Sequence, residues 1–465
     1  MSDAPADRPL RVLLIAEAAN PEWTSVPLVG WSHAKAIRER CDAHIVTQIR
    51  NKPAFERAGV DPAIYTAIDN EHIAGRAFRI AQKLGLSKGK AWTIASALGT
   101  VAYWEFERLL WNRFGGAITR GEYDVVHRLT PLSPSTPSPL AAKCARAGVP
   151  FVMGPINGGV PWPQHYRHLQ RREGEWASAL RPLGRWIPGY TSTRRHASAI
   201  IVASRSAADE LAEPYRGKQV YMPENAIDPA RFPPPPSRDR IELPLRVAFV
   251  GRLVPCKAVD LLLEAVAPFA RDGRLTIDII GDGPERDRIE RTIRQECIES
   301  AVTMPGWIDH HKLHERLGGA HVLGFPSVRD FGGGVVLEAM ALGVVPLVAD
   351  YAGPAELVTD ATGFKIPLGT PAQLVARVRE SFAEILDAPE CLLPMARAAR
   401  RRVEALFTWD ARAAQSVRVY EWVTGRAPKP DFGMPFPDTE THFPIHRDTD
   451  QAVHDAVPEA VIDPP

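Results

Sequence analysis

The sequence is short of the features that would point away from a plain globular protein. Cysteines are few: Cys41, Cys144, Cys256, Cys297 and Cys391 are scattered, odd in number and lack CxxC spacing. That argues against a disulfide framework or a zinc site and fits a reducing compartment. Net charge is nearly absent, +1, so no global field calls for nucleic acid or an acidic partner. No apolar run reaches the roughly 18 residues of a spanning helix. The nearest, Ala91 to Trp104, runs straight into Glu105, Glu107 and Arg108. Met1 to Pro9 is polar and acidic, unlike a secretory signal. The reading is a cytoplasmic protein, soluble or peripheral at the inner membrane face. HExxH is missing, and no DxD stands at a strand end. His310, His311 and His314 resemble a metal set but fall on a polar helix start, so no metal is expected.

What is present is a doubled α/β pattern. At 465 residues with 45% apolar and 24% charged residues, the chain suits two domains. Leu10–Ile15, His44–Gln48, Val125–His127, Pro150–Met153 and Ala199–Ala203 read as buried parallel strands, short and apolar without alternation. Helices fall between them, at Trp31–Arg40 and after the N-cap Ser204. A four-proline run, Pro233–Pro236, suits a linker. The pattern then restarts with strands at Leu245–Val250, Leu275–Ile280, Ala320–Phe325 and Val344–Ala349, and a helix at Val259–Ala267. The expected division is a first domain over 1–232 with a helical, basic insertion at about 75–196, a linker over 233–243 and a second domain over 244–405. A helix over 406–425 and a structureless tail over 426–465, rich in Pro, Asp and His, follow.

Three stretches carry chemistry. In SVRDFGGGVVLE, Gly332, Gly333 and Gly334 separate an apolar strand from an apolar helix. Glycines there let backbone approach a ligand, and a helix start favours an anion such as a diphosphate. Glu338 lies about one turn in, better placed for ribose hydroxyls than for phosphate. A glycine-rich turn beside a solvated glutamate would look the same. GRLVPCK puts Arg252 and Lys257 after a strand, at the edge where open α/β sheets bind ligands, able to neutralise a diphosphate without a metal. Surface ion pairing is the bland reading of those two. IIGDGPER adds a tight turn, uninformative alone.

In this order and spacing the stretches GRLVPCKA, IIGDGPER, PSVRDFGGGVVLEAMALGVVP and YAGPAELV resemble glycosyltransferase family 4, whose members retain anomeric configuration. The resemblance covers most of Val247 to Gly369. YDVVHRL around His127 and ENAID ahead of Phe232 extend it weakly into the first domain. It implies the GT-B fold, two Rossmann-like doubly wound domains facing a central cleft, with the C-terminal helix crossing back onto the first. It also implies transfer of a sugar from a nucleoside diphosphate donor to a hydroxyl acceptor, with no cofactor. Arg252 and Lys257, after Gly251, would hold the diphosphate and Glu338 the ribose. The amides of Gly333, Gly334 and Val335 would line phosphates and sugar, and Trp307 and Ile308 would face the nucleobase. His127 would lie near the reacting centre. The chain departs from the pattern in three places. Asp330 stands where the family has a glutamate that holds sugar hydroxyls, Ala258 replaces the glycine after the lysine, and the acceptor loop shrinks to Val29-Gly30-Trp31, leaving Gly30 as its candidate.

The acceptor is expected on the first domain. Ala91 to Phe114 is rich in aromatics, and Gln164 to His196 holds seven arginines against Glu173 and Glu175, with Trp176 and Trp186 between them. Such a surface suits anionic lipid headgroups and a lipid-linked saccharide acceptor in polysaccharide or glycolipid synthesis. It equally suits a helical insertion with core aromatics and solvated arginines. A nucleotide-sugar epimerase, or a non-catalytic sugar-nucleotide-binding subunit, remains open beside the transferase.

Overall fold

The computed structural model describes residues 8–73, 75, 92–174, 184–233, 238–310 and 312–437. Several expected features lie outside these: Glu175, Trp176, His311, the proline run over 234–236 and the tail from 438. Nor is the side chain of Trp92 described.

Two parallel sheets form two lobes. The first has seven strands: β1 (Arg11–Ala16), β2 (Asp42–Gln48), β3 (Tyr65–Ile68), β4 (Val125–Thr130), β5 (Phe151–Ile156), β6 (Ala199–Val202) and β7 (Gln219–Tyr221), in the order β3-β2-β1-β4-β5-β6-β7. The second has six: β8 (Leu245–Val250), β9 (Leu275–Ile280), β10 (Val302–Gly306), β11 (Val322–Phe325), β12 (Val345–Ala349) and β13 (Phe364–Ile366), in the order β10-β9-β8-β11-β12-β13. Helices cover both faces, so the central strands are buried throughout: every residue of β4, β5, β11 and β12 is buried, including His127 and Arg128 of β4. In each sheet the strand order reverses beside the first strand made, between β1 and β4 and between β8 and β11. Loops leaving the carboxyl ends of strands there open a crevice.

The strands not anticipated are β3, β7, β10 and β13. Each has five residues or fewer, and β10 contains a proline and partly exposed positions, so no apolar run marks it.

The chain closes on itself through the helix Trp409–Val423, which leaves the second lobe and packs on the first lobe's helix Val26–Arg38. His33 Nε2 meets Ser416 Oγ at 2.9 Å, and the Ile227 amide donates to the Phe407 carbonyl at 2.7 Å. The tail expected to be structureless from 426 is corrected over 426–437. Phe432 and Phe436 are 2% exposed, and Arg402 donates to the carbonyls of Phe436 and Pro437, both at 2.9 Å. Two aromatic anchors suffice to dock a segment whose composition otherwise reads as unstructured.

The aromatic segment of the insertion is one helix, Trp92–Thr119. Tyr103, Phe106 and Phe114 on it are buried in the core, so the bland alternative holds for these three. Among the described residues no helix is long and apolar enough to cross a membrane.

Candidate active site

A cleft of about 1400 Å³ lies between the lobes, lined from both sides. On the second lobe, β8 ends at Val250 and the chain turns. The Gly251 amide donates to Ile280 O at 3.0 Å and that of Leu253 to Asp282 O at 2.9 Å, binding the GRL loop to the GDG turn. Gly281 has a φ of 138°, and a Cβ there would overlap the Gly251 carbonyl, so only glycine fits. Arg252 is exposed and lines the cleft. A 3₁₀ turn, Pro255–Lys257, then carries Lys257 inward over the Phe325 ring, 4.6 Å from its centroid, into an ion pair with Asp330. Burial pulls the Lys257 ammonium down, but Asp330 outweighs it and the net shift is upward, so the cation is secure. Ala258 follows at φ 53°, ψ 37°, the left-handed conformation that glycine would adopt without strain.

The loop after β11 is tied to this turn: Val328 N and Ser327 Oγ both donate to the Cys256 carbonyl, at 2.9 and 3.2 Å. Asp330 Oδ1 accepts from the Gly333 amide at 3.3 Å. Asp330 therefore serves Lys257 and the start of the next helix. Gly333, at φ 59°, caps that helix, Gly334–Ala341, whose first two residues, Gly334 and Val335, line the cleft; the opening amides of a helix have no intrahelical partner. Gly332 also lines the cleft and has a second reason to be glycine: a Cβ there would overlap the Glu224 carboxylate.

Glu338 does lie one turn into this helix and lines the cleft. Its Oε1 meets His310 Nε2 at 2.8 Å, and His310 Nδ1 receives Arg231 Nη2 at 2.6 Å. His310 is thus engaged by a cation on one side, which a metal would have to displace. Trp307, two-thirds exposed, and Ile308 line the same end.

Two first-lobe expectations are corrected. His127 sits within β4 and is fully buried. Its Nδ1 meets Tyr420 Oη at 2.6 Å and its Nε2 the Gly154 carbonyl at 2.7 Å. Burial pushes it down to about 3. It lines no part of the cleft, because a strand interior points its side chains into the helix layers and only the loops beyond reach the crevice. Gly30 lies inside the helix Val26–Arg38 rather than in a loop, and a Cβ there would overlap the Ala18 carbonyl. It is a packing glycine and is absent from the cleft lining, although Val29 and Ser32 belong to it.

The first-lobe wall is built instead from the loop after β5, Asn157 to Trp162, and from Glu224, Asn225 and Arg231 on the connection between lobes. Asn157 Nδ2 donates to Glu224 Oε1 at 2.5 Å, while Glu224 Oε2 is buried without a partner. Burial pushes the Glu224 carboxyl up to about 7. The Asn-Gly-Gly that ends the strand PFVMGPI is a strand-to-loop signal that could have located this wall. Of the basic segment, Arg172 pairs with Glu285 of the second lobe and buried Arg194 lies over the Tyr190 ring at 3.4 Å. Neither faces outward as a lipid-binding patch requires. Arg167 and Arg185 do line the cleft, next to Trp186, which is 82% exposed.

Residues 238–399 match the family described as glycosyl transferases group 1. A D-inositol 3-phosphate glycosyltransferase of Streptomyces scabiei is 30% identical over 325 residues, 64% of this chain and 68% of that protein. A glycogen synthase of Mycobacterium tuberculosis is 30% identical over 251 residues, 50% of this chain, and the match spans 59% of that relative's own length. The solved Anabaena protein Alr3699/HepE, in complex with UDP, superposes with a TM-score of 0.57 at 16% identity, covering 88% of this chain and 98% of that one. At that identity the likeness is one of fold.

Proposed function

The chain belongs to the group 1 glycosyl transferases, and on that premise we propose that it moves a sugar, with retention of configuration, from a nucleoside diphosphate donor to a hydroxyl acceptor. The observation that carries this reading is the convergence of Arg252, Lys257 and the first turn of the helix Gly334–Ala341 on one cleft. Two cations and a helix start suit a diphosphate, and the UDP complex of a protein with the same fold agrees.

In the proposed reaction the bond from the anomeric carbon to the phosphate oxygen breaks and its electron pair stays on the diphosphate. The acceptor hydroxyl bonds to that carbon from the same face and passes its proton to the departing phosphate oxygen. The protein stabilises the developing charge. Lys257 begins in an ion pair with Asp330, so an arriving diphosphate shares a cation already in place, and Asp330 becomes available for a sugar hydroxyl. No metal is required by this scheme, and turnover is expected to survive EDTA. Loss of turnover restored by Mn²⁺ or Mg²⁺ would reject that part.

Incubation with UDP-, GDP- and ADP-sugars and a mixed set of saccharide acceptors tests the whole reading. Transfer supports it. Isomerisation without acceptor identifies an epimerase, and binding without reaction a non-catalytic subunit. Exposed Trp186 beside Arg185, with exposed Trp23 and Val101 next to other cleft-lining residues, favours an acceptor with an apolar carrier, held at a membrane surface. Sedimentation with anionic liposomes at low salt checks this, and failure to bind excludes it.

A further inference from the structure

His310 lies in the cleft but has no part in the scheme above. Three groups meet on it. Arg231, from the connection between the lobes, donates Nη2 to its Nδ1; its Nε2 reaches Glu338 Oε1; and Phe232 packs edge-on against the ring at 5.8 Å between centroids. The partners determine the ring's state. A guanidinium can only donate, so Nδ1 must offer a lone pair, and an ionised carboxylate can only accept, so the proton sits on Nε2. The side chains of His310 and Glu338 are 23% and 16% exposed, sheltered but open to a ligand.

The cleft holds a group for each part of a nucleotide. Trp307 and Ile308 directly precede the His310 that holds Glu338, Glu338 lies one turn into the helix that Gly333 caps, and Gly333 and Lys257 share Asp330; all of these and Arg252 line the one cleft. We infer that His310 is a positioning residue for the donor's ribose: it holds one oxygen of Glu338, leaves the other for a ribose hydroxyl, and is itself fixed by Arg231. The inference rests on the proposed function, since it requires a nucleoside diphosphate in the cleft. It also makes ribose recognition depend on the connection between the lobes, because Arg231 belongs to neither sheet.

The test compares binding of UDP, GDP and ADP with their 2′,3′-dideoxy forms by calorimetry. The wild-type protein is expected to prefer the ribose form of the nucleotide it binds by about tenfold or more, the worth of a hydrogen bond to a charged group. His310→Phe should cut that preference to within about threefold. His310→Gln, whose amide can accept from Arg231 and donate to Glu338, should keep it. Since ribose contacts are the same in ground and transition states, His310→Phe should raise KM for the sugar nucleotide while kcat changes less than about threefold.

An unchanged preference in His310→Phe overturns the inference. If that variant fails to fold, Arg231→Met takes its place: a fall of about threefold in the preference supports the inference, and no change overturns it. A wild-type protein that binds diphosphates without preferring ribose sinks the inference and leaves the proposed function standing. A wild-type protein that neither binds nor transfers sinks the proposed function itself.

Discussion

The two walls of the cleft stand on parallel sheets of the same plan yet deploy their charged groups oppositely. On the second lobe, Arg252, Lys257 and Glu338 lie beyond strand ends and face the cleft. On the first lobe, the histidines that catch the eye, His33 and His127, are turned inward and bonded to the closing helix. The difference teaches that residue type is a poor guide to function until its distance from a strand's carboxyl end is known. His127 is the third residue of β4, whereas Arg252 is the second residue past β8.

The largest expected effect tests the second-lobe wall. Lys257→Ala should lower kcat by about 100- to 1000-fold, or roughly 3–4 kcal/mol, with the fold intact by circular dichroism. Near-normal turnover would mean that this wall is no more chemical than the other.

Glu224 tests whether the first-lobe wall carries a titrating group. Its carboxyl is raised in the folded protein to about 7, so between about 4.5 and 7 the folded state holds a proton the unfolded state has lost. Wild-type stability from this group therefore falls as pH rises through that window and is flat above it. Glu224→Gln should gain on the wild type between pH 5 and pH 8, by roughly 3 kcal/mol at most. A constant difference in melting temperature between the two proteins would show that Glu224 does not titrate there.

His127 has the opposite slope. Its folded value of about 3 lies below the ordinary 6.5, so its contribution is complete above 6.5 and drains away as pH falls toward 3. His127→Phe should cost about 2–3 kcal/mol by denaturant melt, since Tyr420 and the Gly154 carbonyl lose their partner. Turnover per folded molecule should stay within about threefold of wild type. A hundredfold drop in an intact fold would break the comparison outright.

The smallest effect sharpens it. Ala258→Gly relieves a left-handed residue at the base of the Lys257 turn and should stabilise the protein by about 1 kcal/mol. A loss instead would show that the Ala258 methyl packs to advantage.

The second lobe was legible in the sequence because its motifs sit at strand ends, where short-range order and chemistry coincide. Gly251, Arg252 and Lys257 of GRLVPCK, the triple glycine and Glu338 all line the cleft. The first lobe was legible in fold but not in site. YDVVHRL reads as a motif, yet its histidine fills a packing role that depends on Tyr420, which no local pattern can reveal. Gly30 likewise answers to the Ala18 carbonyl, a contact made by folding. The pairings of Glu224 and His310 went unread because their partners, Asn157, Arg231 and Glu338, are remote in sequence, and so did the room that cleft-lining Gly332 makes for Glu224.

Tyr420 lies 293 residues after the His127 it caps. During synthesis the amino-terminal sheet is thus complete in strands long before it is complete in layers, with the place of the closing helix left open. The later lobe, whose sheet draws only on residues 245–366, can finish first. The lobe translated first is then the last to be sealed, and a chain ending before residue 420 would carry every strand of both sheets while the first lobe still lacked the Tyr420 that caps His127.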